Sequence, residues 1–162
     1  MRVLGIDPGL AITGYAVVEE EGSELQLITI GVIRTPAKTP APQRLQSIYQ
    51  ELRQVVGEHQ PTSSAVEELF FSRNVRTAMS VGQARGVTLL ALVDAQLTIA
   101  EYTPLEVKQA VTGYGSADKR QVQEMVRMLL NLEEIPRPDD AADAAAVAIC
   151  HLHRARMEAL LQ

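Results

Sequence analysis

The chain has 162 residues, 46% of them apolar, enough for a single domain (1–162) with a sizeable core and too apolar for a disordered tail. Its net charge of −5 weighs against a uniformly basic nucleic-acid binder, but residues 72–127 hold 7 basic and 5 acidic side chains against 8 and 15 elsewhere. A lone cysteine, Cys150, excludes an internal disulfide, while early charges and the lack of a long apolar run predict a cytoplasmic protein without signal peptide or membrane span.

Arg2 to Asp7 reads as a short buried strand, Pro8-Gly9 as a turn, and Gly14 to Val18 as the returning strand. The acidic run Glu19 to Ser23 reads as the next turn, before a third strand over Leu25 to Ile33. After the proline-rich stretch Thr35 to Pro42, Leu45, Ile48, Leu52 and Val55/Val56 recur at helical spacing and predict a helix to Glu58. Ser64 to Phe70 is expected to be a fourth strand, Val75 to Ala95 a long helix, and Thr98 to Tyr102 a fifth strand. Three more helices are expected, over Pro104 to Val111, over Asp118 to Leu130, and from Asp139 onward.

Three meandering strands followed by strand–helix alternation predict an α/β fold, a five-stranded mixed sheet with helices on both faces. The ribonuclease H-like fold has this order. Between Gly86 and Val93 only Thr88 is polar, so this helix is expected to be buried all round, in the core or in a subunit interface.

The sharpest signal is where acids interrupt apolar elements. Asp7 ends Val3-Leu4-Gly5-Ile6, and Glu67 and Glu68 split Ala65-Val66 from Leu69-Phe70. Asp140 and Asp143 share one face of an alanine-rich helix. Burying unpartnered carboxylates is costly, and a divalent cation gives the three placements one explanation. Magnesium takes hard oxygen ligands, and two ions about 3.5–4 Å apart can clamp a phosphodiester. With strands one and four adjacent, the small side chains of Ala141 to Ala148 would let the last helix pack close above Asp7. Bland alternatives stand beside this: Asp7 as a turn starter, Asp139 as a helix cap. Strand parity makes one of Glu67 and Glu68 a bystander without choosing between them.

Gly5-Ile6-Asp7-Pro8-Gly9-Leu10 with Thr13-Gly14-Tyr15 resembles the opening of the RuvC Holliday junction resolvases. So do Ala65-Val66-Glu67-Glu68-Leu69-Phe70, Gly82-Gln83-Ala84-Arg85-Gly86, Val107 to Gly115, and Asp140-Ala141-Ala142-Asp143-Ala144, in the same order along the chain. The resemblance implies a ribonuclease H-like endonuclease that resolves four-way DNA junctions in recombination and repair, by paired nicks on opposite strands. It implies Asp7, Glu67, Asp140 and Asp143 as catalytic and metal-ligating residues, which selects Glu67 from the glutamate pair. Some members carry histidine at the position of Asp140. Two Mg2+ ions per site are implied, with Mn2+ able to substitute, together with a homodimer and a RuvA-RuvB-type branch-migration partner.

For DNA, the resemblance points to Lys108 and Lys119 near the active site, and to Phe70 as a ring that stacks on an unpaired base. Arg73, Asn74 and Arg76 are further candidates, with Arg85 and Arg120 behind them. Lys119 stands in a helix's first turn, where a cation opposes the dipole, which favours a phosphate partner. His151 and His153 are expected on a helix surface, and Phe71 in the core. Two other classes share part of the pattern. A sugar-kinase or actin-like phosphotransferase shares the Gly5 to Gly14 hairpin but needs a second domain. A non-catalytic junction binder leaves the four acids unexplained.

Overall fold

A computed structural model describes residues 1–68 and 74–161. Strands β1 (Arg2–Asp7), β2 (Ile12–Glu21) and β3 (Glu24–Arg34) form the antiparallel meander. Helix α1 (Ala41–His59) then leads to β4 (Ser63–Glu67), and α2 (Val75–Asp94) to β5 (Thr98–Tyr102). Helices α3 (Pro104–Thr112), α4 (Lys119–Leu129) and α5 (Asp139–Leu160) complete the chain. The strand order is β3-β2-β1-β4-β5, with β4 parallel to both β1 and β5.

Alternation along β1 sorts the core into two layers. Val3 joins Ala16, Val18 and Ala65 beneath α3, α4 and α5, whereas Leu4 and Ile6 join Val17, Val66, Ile48 and Leu52 beneath α1 and α2. Asp7 and Glu67 continue the Val3 and Ala65 parity, so both reach the α5 side. Glu68 leaves the strand, exposed, with its amide donating to Tyr102 O at 2.8 Å.

Helix α5 lies closer to the sheet than its alanines alone require. A Cβ on Gly5 would meet Ala148 N at 2.6 Å and Ala148 Cβ at 2.8 Å, and one on Gly14 would strike the Asp140 backbone. Small residues on both partners therefore set the spacing, and the strand glycines are the half of this packing that helix composition does not announce.

Three expectations need correction. The acidic run is not the turn: β2 continues through Glu21, because Arg2 and Arg156 supply partners for Glu19 and Glu20. The turn falls on Gly22-Ser23, with Gly22 at φ +64°, where glycine carries no steric cost. Strand β4 stops at Glu67; the remainder expected to Phe70 lies partly outside the described residues. Finally, the core alternative for α2 fails, because within the single chain the helix is not covered all round, which leaves the subunit-interface alternative. Its one polar residue, Thr88, is buried and bonded to Ala84 O at 2.9 Å, while Leu90 and Val93 stand 54% and 59% exposed.

Candidate active site

Four acids meet where β1, β4 and α5 come together. Asp7 closes β1, and its backbone pairs with Gly14. Around the following turn, Thr13 Oγ1 donates to Gly9 O at 2.6 Å, and Thr35 Oγ1 bonds Leu10 O. Arg44 braces that turn in its own right, donating from Nε to Thr35 Oγ1 at 2.8 Å. Glu67 reaches the same space from the end of β4, and its carboxyl is hydrogen-bonded to that of Asp7. Asp140 and Asp143 descend from the first turns of α5, which begins without a side-chain cap.

The electrostatics are those of an anionic cluster that one lysine only partly compensates. Burial pushes the Asp7 carboxyl up to about 8, and repulsion from Glu67, Asp143 and Asp140 adds to it. Burial raises Glu67, with the bond to Asp7 and the charge of Lys119 working the other way. Burial raises Asp143 as well, opposed by Lys119. The Lys119 ammonium sits 3.1 Å from Asp139 and 3.3 Å from Asp143. Burial there works against its charge, but the two carboxylates prevail and raise it.

These donors are all carboxylate oxygens, half-buried and short of positive charge, which suits a hard divalent cation. Among the described residues no three acids, histidines or cysteines close into a ready-made cage. Magnesium does not need one, since water and substrate phosphates complete its shell.

Two clefts flank the cluster. One of about 250 Å3 is lined by Glu67, Lys108, Lys119 and Asp143; the other, of about 520 Å3, by Gly9, Arg44, Arg76, Ser80 and Asp140. Lys108, Lys119 and Arg76 thus lie beside the acids. Asn74 caps α2, accepting from the amides of Arg76 and Thr77 at 3.1 and 3.5 Å. Arg120 is exposed on α4. Phe70, Phe71 and Arg73 lie outside the described residues.

Other expectations change. The dipole misfit at Lys119 is answered by Asp139 and Asp143 rather than left open. Asp139 is no cap: Pro138 holds that position, and Asp139 accepts from Gln123 Nε2 at 3.1 Å as well as from Lys119. His151 does not lie on the helix surface, because α5 carries it onto the sheet. Its ring bonds Ser63 Oγ at 2.7 Å and Tyr102 OH at 2.8 Å. His153 bonds Ala110 O at 3.0 Å. Arg85 is also spoken for: its Nη1 donates to Glu67 O at 2.6 Å, and Nη2 pairs with Glu101. Nothing in the sequence around Arg85 signals that contact.

A mixed sheet of this order, with acids from its first and fourth strands facing the last helix, defines a protein of the ribonuclease H-like class. The family model described as Crossover junction endodeoxyribonuclease RuvC matches residues 3–151. The chain is 58% identical over 155 residues to the RuvC of Chloroflexus aggregans, covering 96% of this chain and 94% of that one. It is 40% identical to Thermus thermophilus RuvC, with TM-score 0.91 and coverage of 98% and 97%. It is also 40% identical to T. thermophilus RuvC in complex with Holliday junction substrate, with TM-score 0.93 and coverage of 98% and 96%. The chain belongs to the RuvC family of crossover junction endodeoxyribonucleases.

Proposed function

We propose that this chain resolves four-way DNA junctions in recombination and repair, cutting opposite strands from the acid cluster of Asp7, Glu67, Asp140 and Asp143. The observation that carries the reading is the meeting of four acids around the half-buried Asp7 carboxyl, which burial and its neighbours push up to about 8. Such a group is a poor structural choice and a good cation ligand. Asp7, Glu67 and Asp143 would hold Mg2+, or Mn2+ in its place, with Asp140 on the flank beside Arg76. Bound there, two divalent ions would activate water for in-line attack on the phosphodiester and stabilise the leaving oxygen, giving 5′-phosphate and 3′-hydroxyl ends.

The chain's own residues do the rest. Lys108 and Lys119 on one side, and Arg76 with Asn74 on the other, would take the phosphates next to the scissile one. Phe70 and Arg73, just after Glu67 in sequence, complete the proposed DNA contacts. As DNA enters, Lys119 exchanges its two carboxylate partners for phosphate.

Paired cuts need two sites. Helix α2 offers the face for a homodimer: Val75, Met79, Leu90 and Val93 are exposed apolar residues on one stripe. Gly82 and Gly86 lie between them, with open space where a side chain would be, so two such helices can approach closely. A RuvA-RuvB-type complex is the proposed branch-migration partner, and the cytoplasm the proposed compartment; no described helix is long and apolar enough to cross a membrane. The test is Asp7→Asn on a synthetic four-way junction. Junction binding should persist, while Mg2+-dependent nicking falls by at least about a thousandfold, on the scale of losing a group that acts in the transition state. Full activity would refute the assignment.

A further inference from the structure

Glu67 is gripped from both faces of the sheet. Its carboxyl points to the α5 side, toward Asp7. Its carbonyl, at the last position of β4, accepts a charge-assisted bond of 2.6 Å from Arg85 Nη1, which comes from α2 on the opposite side. Strand ends leave backbone groups without ladder partners, so an orphan carbonyl here would let the Glu67 peptide plane rotate and carry the carboxyl with it. The guanidinium is itself fixed. Its other nitrogen pairs with Glu101 on β5, next to Val66 in register, and its side chain is only 14% exposed. Carbonyl, guanidinium and Glu101 thus form a clamp from β5 through α2 to the end of β4.

We propose that Arg85 is a positioning residue for cleavage: it holds the backbone of Glu67, and so the aim of its carboxylate, without touching substrate. This rests on the assignment of Glu67 to the cation site. Because Arg85 springs from α2 between Gly82 and Gly86, the clamp also ties the aim of Glu67 to the helix that carries the proposed dimer face. Partners that orient a ligating group cost about 10- to 100-fold in metal affinity or activity when removed, and misplacement by about 1 Å costs a similar factor.

The experiment compares Arg85→Ala and Arg85→Lys with the unaltered full-length protein. It measures single-turnover cleavage at saturating junction, junction affinity against salt, Mn2+ affinity by calorimetry, and thermal midpoint. Arg85→Ala should cleave about 10- to 100-fold more slowly and bind Mn2+ more weakly, with junction affinity within about twofold. Arg85→Lys keeps one donor but not the fork, and should fall between the two. If Arg85→Ala does not fold, Arg85→Lys alone carries the test, and an unaltered cleavage rate and Mn2+ affinity in it overturn the proposal. A weakened junction affinity with a salt slope smaller by about one, at an unchanged saturating rate, marks a phosphate contact and overturns it. A lowered midpoint with unchanged cleavage and Mn2+ affinity marks a mere structural tie and overturns it too. Glu67→Gln separates the two readings: if it cleaves normally, the carboxylate assignment fails; if it is inactive while Arg85→Ala is normal, only the clamp fails.

Discussion

The two ends of β1 treat the same kind of side chain in opposite ways. At the Arg2 end, Glu19 receives both Arg2 Nη2 at 2.9 Å and Nε at 3.2 Å, and the same guanidinium bonds His59 O at 2.8 Å. Hydrogen bonding to Arg2 holds the Glu19 carboxyl below its usual range. Nearby, Arg156 approaches Glu20 at 3.9 Å. At the Asp7 end four acids converge, and among the described residues Lys119 is the cation that pairs with one of them, Asp143, at 3.3 Å. One end satisfies its charges locally; the other leaves buried acids raised by one another, with a single described ammonium beside them. The same sheet neutralises acids at one end and leaves them in conflict at the other, so the conflict marks a candidate site rather than a failure of packing.

That contrast is open to direct attack, most strongly at Asp7. The folded-state value of about 8 lies above the ordinary 3.8, so protonation of this group stabilises the fold. The contribution is fully present below about pH 4 and is lost as pH rises through about 8. Cation-free protein should therefore weaken between about pH 6 and pH 8.5. Asn cannot ionise, so Asp7→Asn should be more stable than the native chain at the upper pH by on the order of a few kcal/mol. Urea midpoints in chelator would show it. Part of the slope should survive in the variant, because Glu67 and Asp143 are raised as well. Equal stability of the two proteins at pH 8.5 would break the comparison at its stronger end.

A second attack leaves every charge in place and moves only the helix. Gly14 pairs with Asp7, and a Cβ there would run into the Asp140 backbone. Gly14→Ala should push the first turn of α5 outward, costing about 1–3 kcal/mol by overpacking. Junction cleavage should fall further than stability explains, because Asp140 and Asp143 move away from Asp7 together. A stability loss with normal cleavage in the folded protein would mean that the acids need not converge so closely.

Much of this arrangement was legible beforehand because it is written in local patterns. Helical spacing gave the stripe of Ile48, Leu52 and Val55, and a run bounded by turn signals gave β5 to the residue. Asp7 and Asp143 stood out because an acid inside an apolar element has few cheap explanations. The family resemblance picks Glu67 over Glu68, and in the sheet Glu67 shares the Ala65 face, on the same side as Asp7. What stayed hidden depends on partners distant in sequence. The acidic run over Glu19 to Glu21 looked like a turn because Arg2 and Arg156 were out of view. His151 looked like a surface residue because Ser63 and Tyr102 lie 88 and 49 positions away. For helix α2 composition records apolarity, not what covers it: Leu90 and Val93 are apolar and uncovered within the chain, which rules out the core alternative and leaves the interface.

The smallest effect tests the quiet end. Glu19→Gln removes one charge from the Arg2 pair but keeps an oxygen that can still accept from the guanidinium. Both side chains are partly exposed, at 30% and 21%, so solvent screens most of the Coulomb gain. The loss should be the smallest of the three and shrink further in high salt. Because the Glu19 carboxyl is depressed, its contribution is present above the ordinary glutamate range and lost as pH falls through the lowered value. The native chain and the variant should therefore converge in stability at acidic pH, whereas the Asp7 pair should converge there from the opposite side, with the variant the more stable of its two at high pH. Junction cleavage should be untouched, since Glu19 lies at the far end of β1 from Asp7. A cleavage defect in a normally folded Glu19→Gln protein would mean that the two ends of the strand do not act separately, and would shift attention from local charge to the sheet as a whole.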